Sequence, residues 1–321
     1  MNKIIHGDSY EVLKTLNSET VDCIITSPPY YQLRDYGYQE QIGLEPSLHE
    51  YISKLALVFN ECKRVLKKDG TMFIVIGDTY SGNKNGKTDL KLQYIKNQNI
   101  KKRTNDMASK NLMQIPSRLS IGLQDEGWIL RNEIIWHKPN AMPQSVKDRF
   151  TIDYEKIFFF VKSKNYYFKQ LQEKMKTLDI TSPRGSKGAM HQLNKGLRLA
   201  RERNRSVSSK NTIDINLDKE EKYVNEYLRN KRSVWSISTE SKSTKHYATF
   251  PEELVELLLE AGCKPNGVVL DPFNGSGTTT ALAKYLGYGY IGIDGSKEYC
   301  ELATKRLEAT PVQIDMFGDK L

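Results

Sequence analysis

The chain has 321 residues, 38% hydrophobic and 27% charged, with a formal net charge of +9. That length suits one large α/β domain with an insertion, or two domains. No apolar run approaches the roughly 20 residues of a membrane helix, and the opening "MNKIIHGDSY" has neither the charged-then-apolar pattern of a signal peptide nor the pattern of a transit peptide, so a cytoplasmic protein is expected. The four cysteines, Cys23, Cys62, Cys263 and Cys300, are far apart, and the five histidines are scattered. This spacing suggests buried thiols, with neither a disulfide framework nor a metal site.

In chain order, "KIIHGD" reads as a strand, "SYEVLKTLNS" as an amphipathic helix and "VDCIIT" as the next strand. That strand runs into "SPPYYQLRDYG", where a hydroxyl, two rigid prolines and an aromatic pair interrupt the apolar pattern. A long helix follows over "EPSLHEYISKLALVFNECKRVLKKDG", with Pro46 and Ser47 suited to its start and Gly70 to its end. "TMFIVIGD" is a buried strand, "IPSRLSIGLQDEGW" a helix, and "ILRNEIIWHK" and "YEKIFFFVKS" are further strands. After residue 243 come a helix at "FPEELVELLLEAGC", a strand at "GVVLDPF", a helix at "GTTTALAKYLG", a strand at "YGYIGID" and a helix at "SKEYCELATKRLEA". Alternation of this kind predicts a doubly wound, mostly parallel sheet with helices on both faces.

The positive charge is localised. Residues 81–110 carry about +6 and residues 162–248 about +11, leaving the remainder at about −8. Confinement of the excess to two segments is the electrostatic footprint of a polyanion-binding face. Residues 165–243 also lose periodicity, which marks an inserted module between a first part at 1–164 and a last part at 244–321.

The second informative segment is "VVLDPFNGSGTTTALAKYLGYGYIGID". A strand ends in Asp271, a loop with Gly275 and Gly277 turns into a helix, and the next strand ends in Asp294. This arrangement binds nucleosides at the carboxyl edge of a parallel sheet, with the second acid placed to accept from ribose hydroxyls. The loop lacks the lysine of a triphosphate-binding loop, and Thr280 stands where a dinucleotide loop would have a third glycine. An acid at the loop's start and helix N-terminal amides at its end suit a ligand with both an ammonium and a carboxylate.

Together, "TSPPY" and "DPFNGSGTT" resemble the amino-methylating DNA methyltransferases, and their order, base-site motif about 240 residues before the cofactor loop, resembles the circularly permuted β class. The resemblance covers the chain apart from its two basic segments. It implies a seven-stranded, Rossmann-like, permuted sheet with a basic target-recognition insert and S-adenosyl-L-methionine as methyl donor. It also implies transfer to the exocyclic amine of a base flipped out of double-stranded DNA. Ser27 favours cytosine-N4, with adenine-N6 the alternative.

By the same resemblance, Ser27, Pro28, Pro29 and Tyr30 form the catalytic motif. Tyr30 would stack on the extruded base, while the Ser27 hydroxyl and the Pro28 carbonyl would accept from its amine. Asp271, Pro272, Phe273, Gly275, Ser276, Gly277 and Thr278 would line the methionine end of the cofactor. Asp294, where glutamate is frequent in the family, would hold the ribose, and Asp8 would lie near the adenine. His246, Thr249, Phe250 and Pro251, in "HYATFPEEL", would flank the methionine. Trp136 and Lys138 would border the base, although Trp136 fits equally as a core residue. The loop with Ser145, Lys147, Asp148 and Arg149 would touch the DNA backbone.

A cognate restriction endonuclease is an expected partner in a restriction-modification system, with the enzyme nucleoid-associated and either monomer or homodimer. "QIDMF", from Gln313 to Phe317, resembles a peptide that docks on sliding clamps. Two readings outside the class are a non-catalytic DNA-binding regulator, which has no need of the nucleoside loop, and a dinucleotide-dependent oxidoreductase, which leaves "TSPPY" unexplained.

Overall fold

The computed structural model describes residues 2–38, 40–82, 107–174, 228–239 and 250–313. His246, Thr249 and residues 314–317 of the clamp-like peptide lie outside them. Two compact units are present, one formed by residues 1–169 with 232–321 and the other by residues 170–231.

The larger unit is built on one sheet. Its strands are β1 (Lys3–His6), β2 (Val21–Thr26), β3 (Leu66–Ile76), β4 (Ile129–His137), β5 (Tyr154–Val161), β8 (Val234–Ser236), β9 (Val268–Asp271) and β10 (Gly289–Asp294), in the spatial order β1-β10-β9-β2-β3-β5-β4-β8. Among the described strands, β5 alone runs against the rest. The seven expected strands all form.

The eighth strand corrects the expectation. Residues 234–236 pair in parallel with the outer edge of β4, and Trp136 Nε1 donates to the Ile237 carbonyl at 2.8 Å. Three residues are too short to carry a periodic signal. What creates the strand is the free edge of β4 and the burial of Trp235 and Ile237.

The helices are α1 (Ser9–Thr15), α2 (Leu48–Val65), α3 (Ile115–Asp125), α4 (Glu252–Gly262), α5 (Thr278–Tyr285) and α6 (Lys297–Ala309). All six residues of β2 are buried, and its side chains alternate between two cores. Val21 and Ile24 join Met72, Ile74, Phe158 and Phe160 under α1, α2 and α3. Cys23 and Ile25 join Phe73, Val75, Phe159 and Val269 under α4. A central strand covered on both faces reads as a near-continuous apolar run, and its buried acid, Asp22, is paired with Lys67 at 2.8 Å.

α2 starts as expected, with Ser47 Oγ accepting from the Glu50 N–H at 3.2 Å. It ends at Val65, not at Gly70. Leu66 already pairs with Val21, and Gly70 lies inside β3, where a Cβ would fall 2.9 Å from the Asp22 carbonyl. Pairing with β2 therefore overrides the helical pattern of "LKKDG".

The smaller unit contains β6 (Gln172–Lys174) and β7 (Leu228–Asn230), an antiparallel pair closed by Arg229 Nε on Glu173 Oε1 at 2.8 Å.

Candidate active site

The site forms at the carboxyl edge of the parallel strands, and its first half is the segment after β2. β2 and β9 pair directly, with Ile24 opposite Leu270. Their ends therefore emerge side by side although 245 residues separate Thr26 from Asp271, and the Thr26 hydroxyl donates to Asp271 Oδ1 at 2.7 Å. "TSPP" and "DPF" are thus joined by a buried hydrogen bond.

Pro28 is buried, and Tyr30 is half-buried against Gly77, where a Cβ would fall 3.0 Å from the Tyr30 ring. The Tyr30 hydroxyl donates to Glu155 Oε2 at 2.7 Å, and Lys138 Nζ pairs with Glu155 Oε1 at 2.5 Å. Ser27 and the Gly77 backbone lie close enough to the phenol to oppose its upward shift. Burial, reinforced by the Glu155 carboxylate, pushes the Tyr30 phenol well above its ordinary range, so it stays protonated and donates. The Pro29 carbonyl is occupied by the Tyr51 hydroxyl at 2.8 Å. Among the described residues, no donor reaches the Pro28 carbonyl.

The second half is the loop from β9 into α5. The Phe273 N–H donates to Asp271 Oδ1 at 3.1 Å, and Ser9 Oγ donates to the Pro272 carbonyl at 2.5 Å. Burial raises the Asp271 carboxyl to about 6, against the opposing donors Thr26, Thr279 and Phe273. Gly277 caps α5 with φ +81°, a left-handed conformation that favours glycine, and a Cβ there would lie 2.9 Å from the Ala303 Cβ. A Cβ on Gly275 would meet nothing within 4 Å, so open space adjoins the loop at that point. Ser276 beside it is half-buried.

Asp294 ends β10 and receives two backbone donors, Gly275 N–H at 2.7 Å and Ser296 N–H at 2.8 Å. Its carboxyl is still raised, because burial outweighs those donors. Asp8 caps α1, accepting from the Glu11 N–H at 3.0 Å. The threonines after the loop are committed to neighbours. Thr278 Oγ1 accepts from Arg306 at 2.9 Å, and Thr280 Oγ1 donates to Asn274 Oδ1 at 2.9 Å. Arg306 also pairs with Glu252 at 2.6 Å, which ties the start of α5 to the start of α4, where Pro251 is the cap and Phe250 packs on the core.

The residues expected at the DNA side divide into two kinds. Trp136 is buried at 3% exposure with its indole N–H on Ile237, so it belongs to the core, while Lys138 lies over its ring at 4.4 Å. Ser145 and Lys147 are exposed, and the Arg149 guanidinium sits 3.9 Å from the centre of the Tyr80 ring.

Several residues at the site escape a motif search. Glu155 is one. Only the antiparallel direction of β5 brings the start of that strand to the same edge as the ends of β2 and β3, and the acid just before "KIFFFV" was the available signal. Tyr38 is another. Its ring packs on Gly295, and its phenol is raised by burial and by the nearby Asp294 and Asp8 carboxylates. Gln41 holds this loop in place, with Oε1 accepting from the Tyr36 N–H at 2.6 Å and Nε2 donating to the Arg34 carbonyl at 3.1 Å. The loop that begins at the base-site motif therefore reaches across to the end of β10. A depression lined by Asp69, Lys164, Tyr166 and Lys264 lies at the amino-terminal ends of β3 and β9, away from these groups.

The chain is similar to known proteins over nearly its whole length. The N6/N4 DNA methylase family model matches residues 21–305. The Type II methyltransferase M.Cfr9I of Citrobacter freundii is 36% identical over 313 residues, which span 97% of this chain and 89% of that protein. Among solved structures, the Thermus thermophilus protein TTHA0409 complexed with S-adenosyl-L-methionine superimposes with a TM-score of 0.59 at 22% identity, covering 97% of this chain and 95% of that one. The PvuII DNA methyltransferase, cytosine-N4-specific, superimposes with a TM-score of 0.59 at 18% identity, covering 95% and 86%. With the family model spanning most of its length and two converging motifs at one sheet edge, this chain belongs to the N6/N4 DNA methylase family as a Type II DNA methyltransferase.

Proposed function

We propose that the protein methylates the exocyclic amine of a base extruded from duplex DNA, cytosine-N4 in preference to adenine-N6, as the modifying half of a restriction-modification pair. S-adenosyl-L-methionine, when bound, supplies a sulfonium methyl group. The observation that supports the reading is the Thr26 to Asp271 hydrogen bond, which joins the segments "TSPPY" and "DPFNGSGTT" at one sheet edge.

The loop fits such a cofactor. Open space adjoins Gly275, and Asp294, already holding two amides, keeps acceptor capacity for ribose hydroxyls. Phe273 and Pro272 border the loop, and Phe250 with Pro251 belongs to the segment Arg306 ties to it.

On the base side, Tyr30 offers its ring for stacking. Ser27, half-buried beside the phenol, has hydroxyl lone pairs to accept one amine proton. The Pro28 carbonyl accepts the other, since the next carbonyl is taken by Tyr51. Two such bonds draw the amine lone pair out of conjugation with the ring. The residues would then hold the nitrogen in line with the methyl group that bound S-adenosyl-L-methionine would supply, and the surplus proton of the methylated amine would pass to water. Positioning supplies most of the acceleration.

Ser27 supports cytosine-N4 through the family resemblance. Sequencing the modified bases in DNA from cells that express the protein tests both readings. N4-methylcytosine in a fixed context is expected. N6-methyladenine would replace the first reading with the second, and unmodified DNA would overturn both.

A further inference from the structure

We infer that Phe150, supported by Met142, is an apolar wedge that enters the base stack of duplex DNA at the gap left by the extruded base. The inference rests on the extruded-base reading above and adds a protein residue for the vacated space.

Both residues belong to the connection from β4 to β5. Its base is fixed at the site, since Lys138 pairs with Glu155, which holds Tyr30, and the Lys138 N–H donates to the Asp153 carbonyl at 2.7 Å. Its far part is fixed too. Arg149 stacks on Tyr80 and donates to Gln144 Oε1 at 2.9 Å, Asp148 pairs with Lys110 at 2.7 Å, and Asn140 Oδ1 accepts from the Thr239 N–H at 2.8 Å.

A connection held at so many points has the means to turn its apolar side chains inward. Instead Phe150 is 95% exposed, Met142 85% and Val146 41%. Single exposed apolar residues are ordinary, but three in one connection at the rim of a site are not. Lys147 and Arg149 stand among them, so the surface that receives them is anionic as well as able to take an apolar insert. Duplex DNA with one base withdrawn has both properties. Apolar side chains that enter base steps are an established device for holding a distorted duplex, and extrusion creates a vacancy of the same kind.

The test measures single-turnover methylation by the full chain on two duplexes of its own recognition sequence, one fully paired and one with the base opposite the target removed. The pre-opened duplex needs no wedge. Phe150→Ala is expected to slow the paired duplex roughly tenfold or more while leaving the pre-opened duplex within about twofold of wild type, with Phe150→Trp close to wild type on both. 2-Aminopurine at the target position should brighten with wild type and much less with Phe150→Ala. Equal losses on both duplexes, or no loss on the paired one, overturn the wedge. Met142→Ala is a second, independently folded check, expected to show the same selectivity to a smaller degree. A dimer that dissociates on Phe150→Ala with methylation unchanged would assign the surface to a second copy of the chain and also overturn it. No 2-aminopurine signal from wild type on either duplex would sink the extruded-base reading itself, and the wedge with it.

Discussion

The Thr26 hydroxyl and the Asp271 carboxylate meet at 2.7 Å across 245 residues of sequence. Both side chains are buried, so neither has water as a substitute partner. Thr26→Val keeps the shape and removes the donor. We expect a loss of about 1–3 kcal/mol in unfolding free energy, measured by urea titration. A fall in S-adenosylmethionine affinity by calorimetry should accompany it, because Asp271 anchors the Phe273 N–H from the same oxygen. Unchanged stability would show that the bond is not a structural link.

Asp271 also makes stability depend on pH in a definite direction. Its folded-state carboxyl is raised to about 6, above the ordinary value of an unfolded aspartate. The fold therefore favours the protonated form. The contribution of this group is most favourable below about pH 4 and is lost as pH rises through about 6. Asp271→Asn should lose part of that dependence, so the variant's stability relative to wild type improves between pH 4 and pH 7. Urea midpoints at several pH values decide it, and a constant difference would contradict the prediction.

Glu155 positions Tyr30 through its hydroxyl. Tyr30→Phe and Glu155→Gln each disturb the same contact, so their effects on kcat should not add, with a coupling of about 0.5–3 kcal/mol in a double-mutant cycle. Simple additivity would mean that the two residues act independently. Cofactor binding should change little in either single variant, because neither partner of the contact belongs to the loop after β9.

Gly277 combines a φ of +81° with close approach to Ala303. Gly277→Ala should destabilise by roughly 1–3 kcal/mol from strain and overpacking together. It should weaken cofactor affinity in the same experiment, since α5 begins at that residue. Thermal melts with and without S-adenosylmethionine separate the two effects, and a variant as stable as wild type would show that the loop can relax.

The alternating apolar pattern determined the seven main strands, the helices on both sheet faces and the positions of both motifs, because burial on one face or two writes a period into the chain. Local patterning had no access to partners. It extended α2 to Gly70, where strand pairing with β2 ended the helix at Val65, and it passed over β8, which exists only because β4 offers an edge. Tyr38 was invisible for the same reason, and Glu155 was marked only by an acid at the start of an apolar strand. An acid that opens one strand and a tyrosine in a loop become part of a site only when an antiparallel strand and a folded-back connection bring them to the ends of β2, β9 and β10. Sequence alone therefore pointed to the family, while the tertiary structure decided which side chains join its two motifs, since hydrogen bonds between distant residues follow from topology.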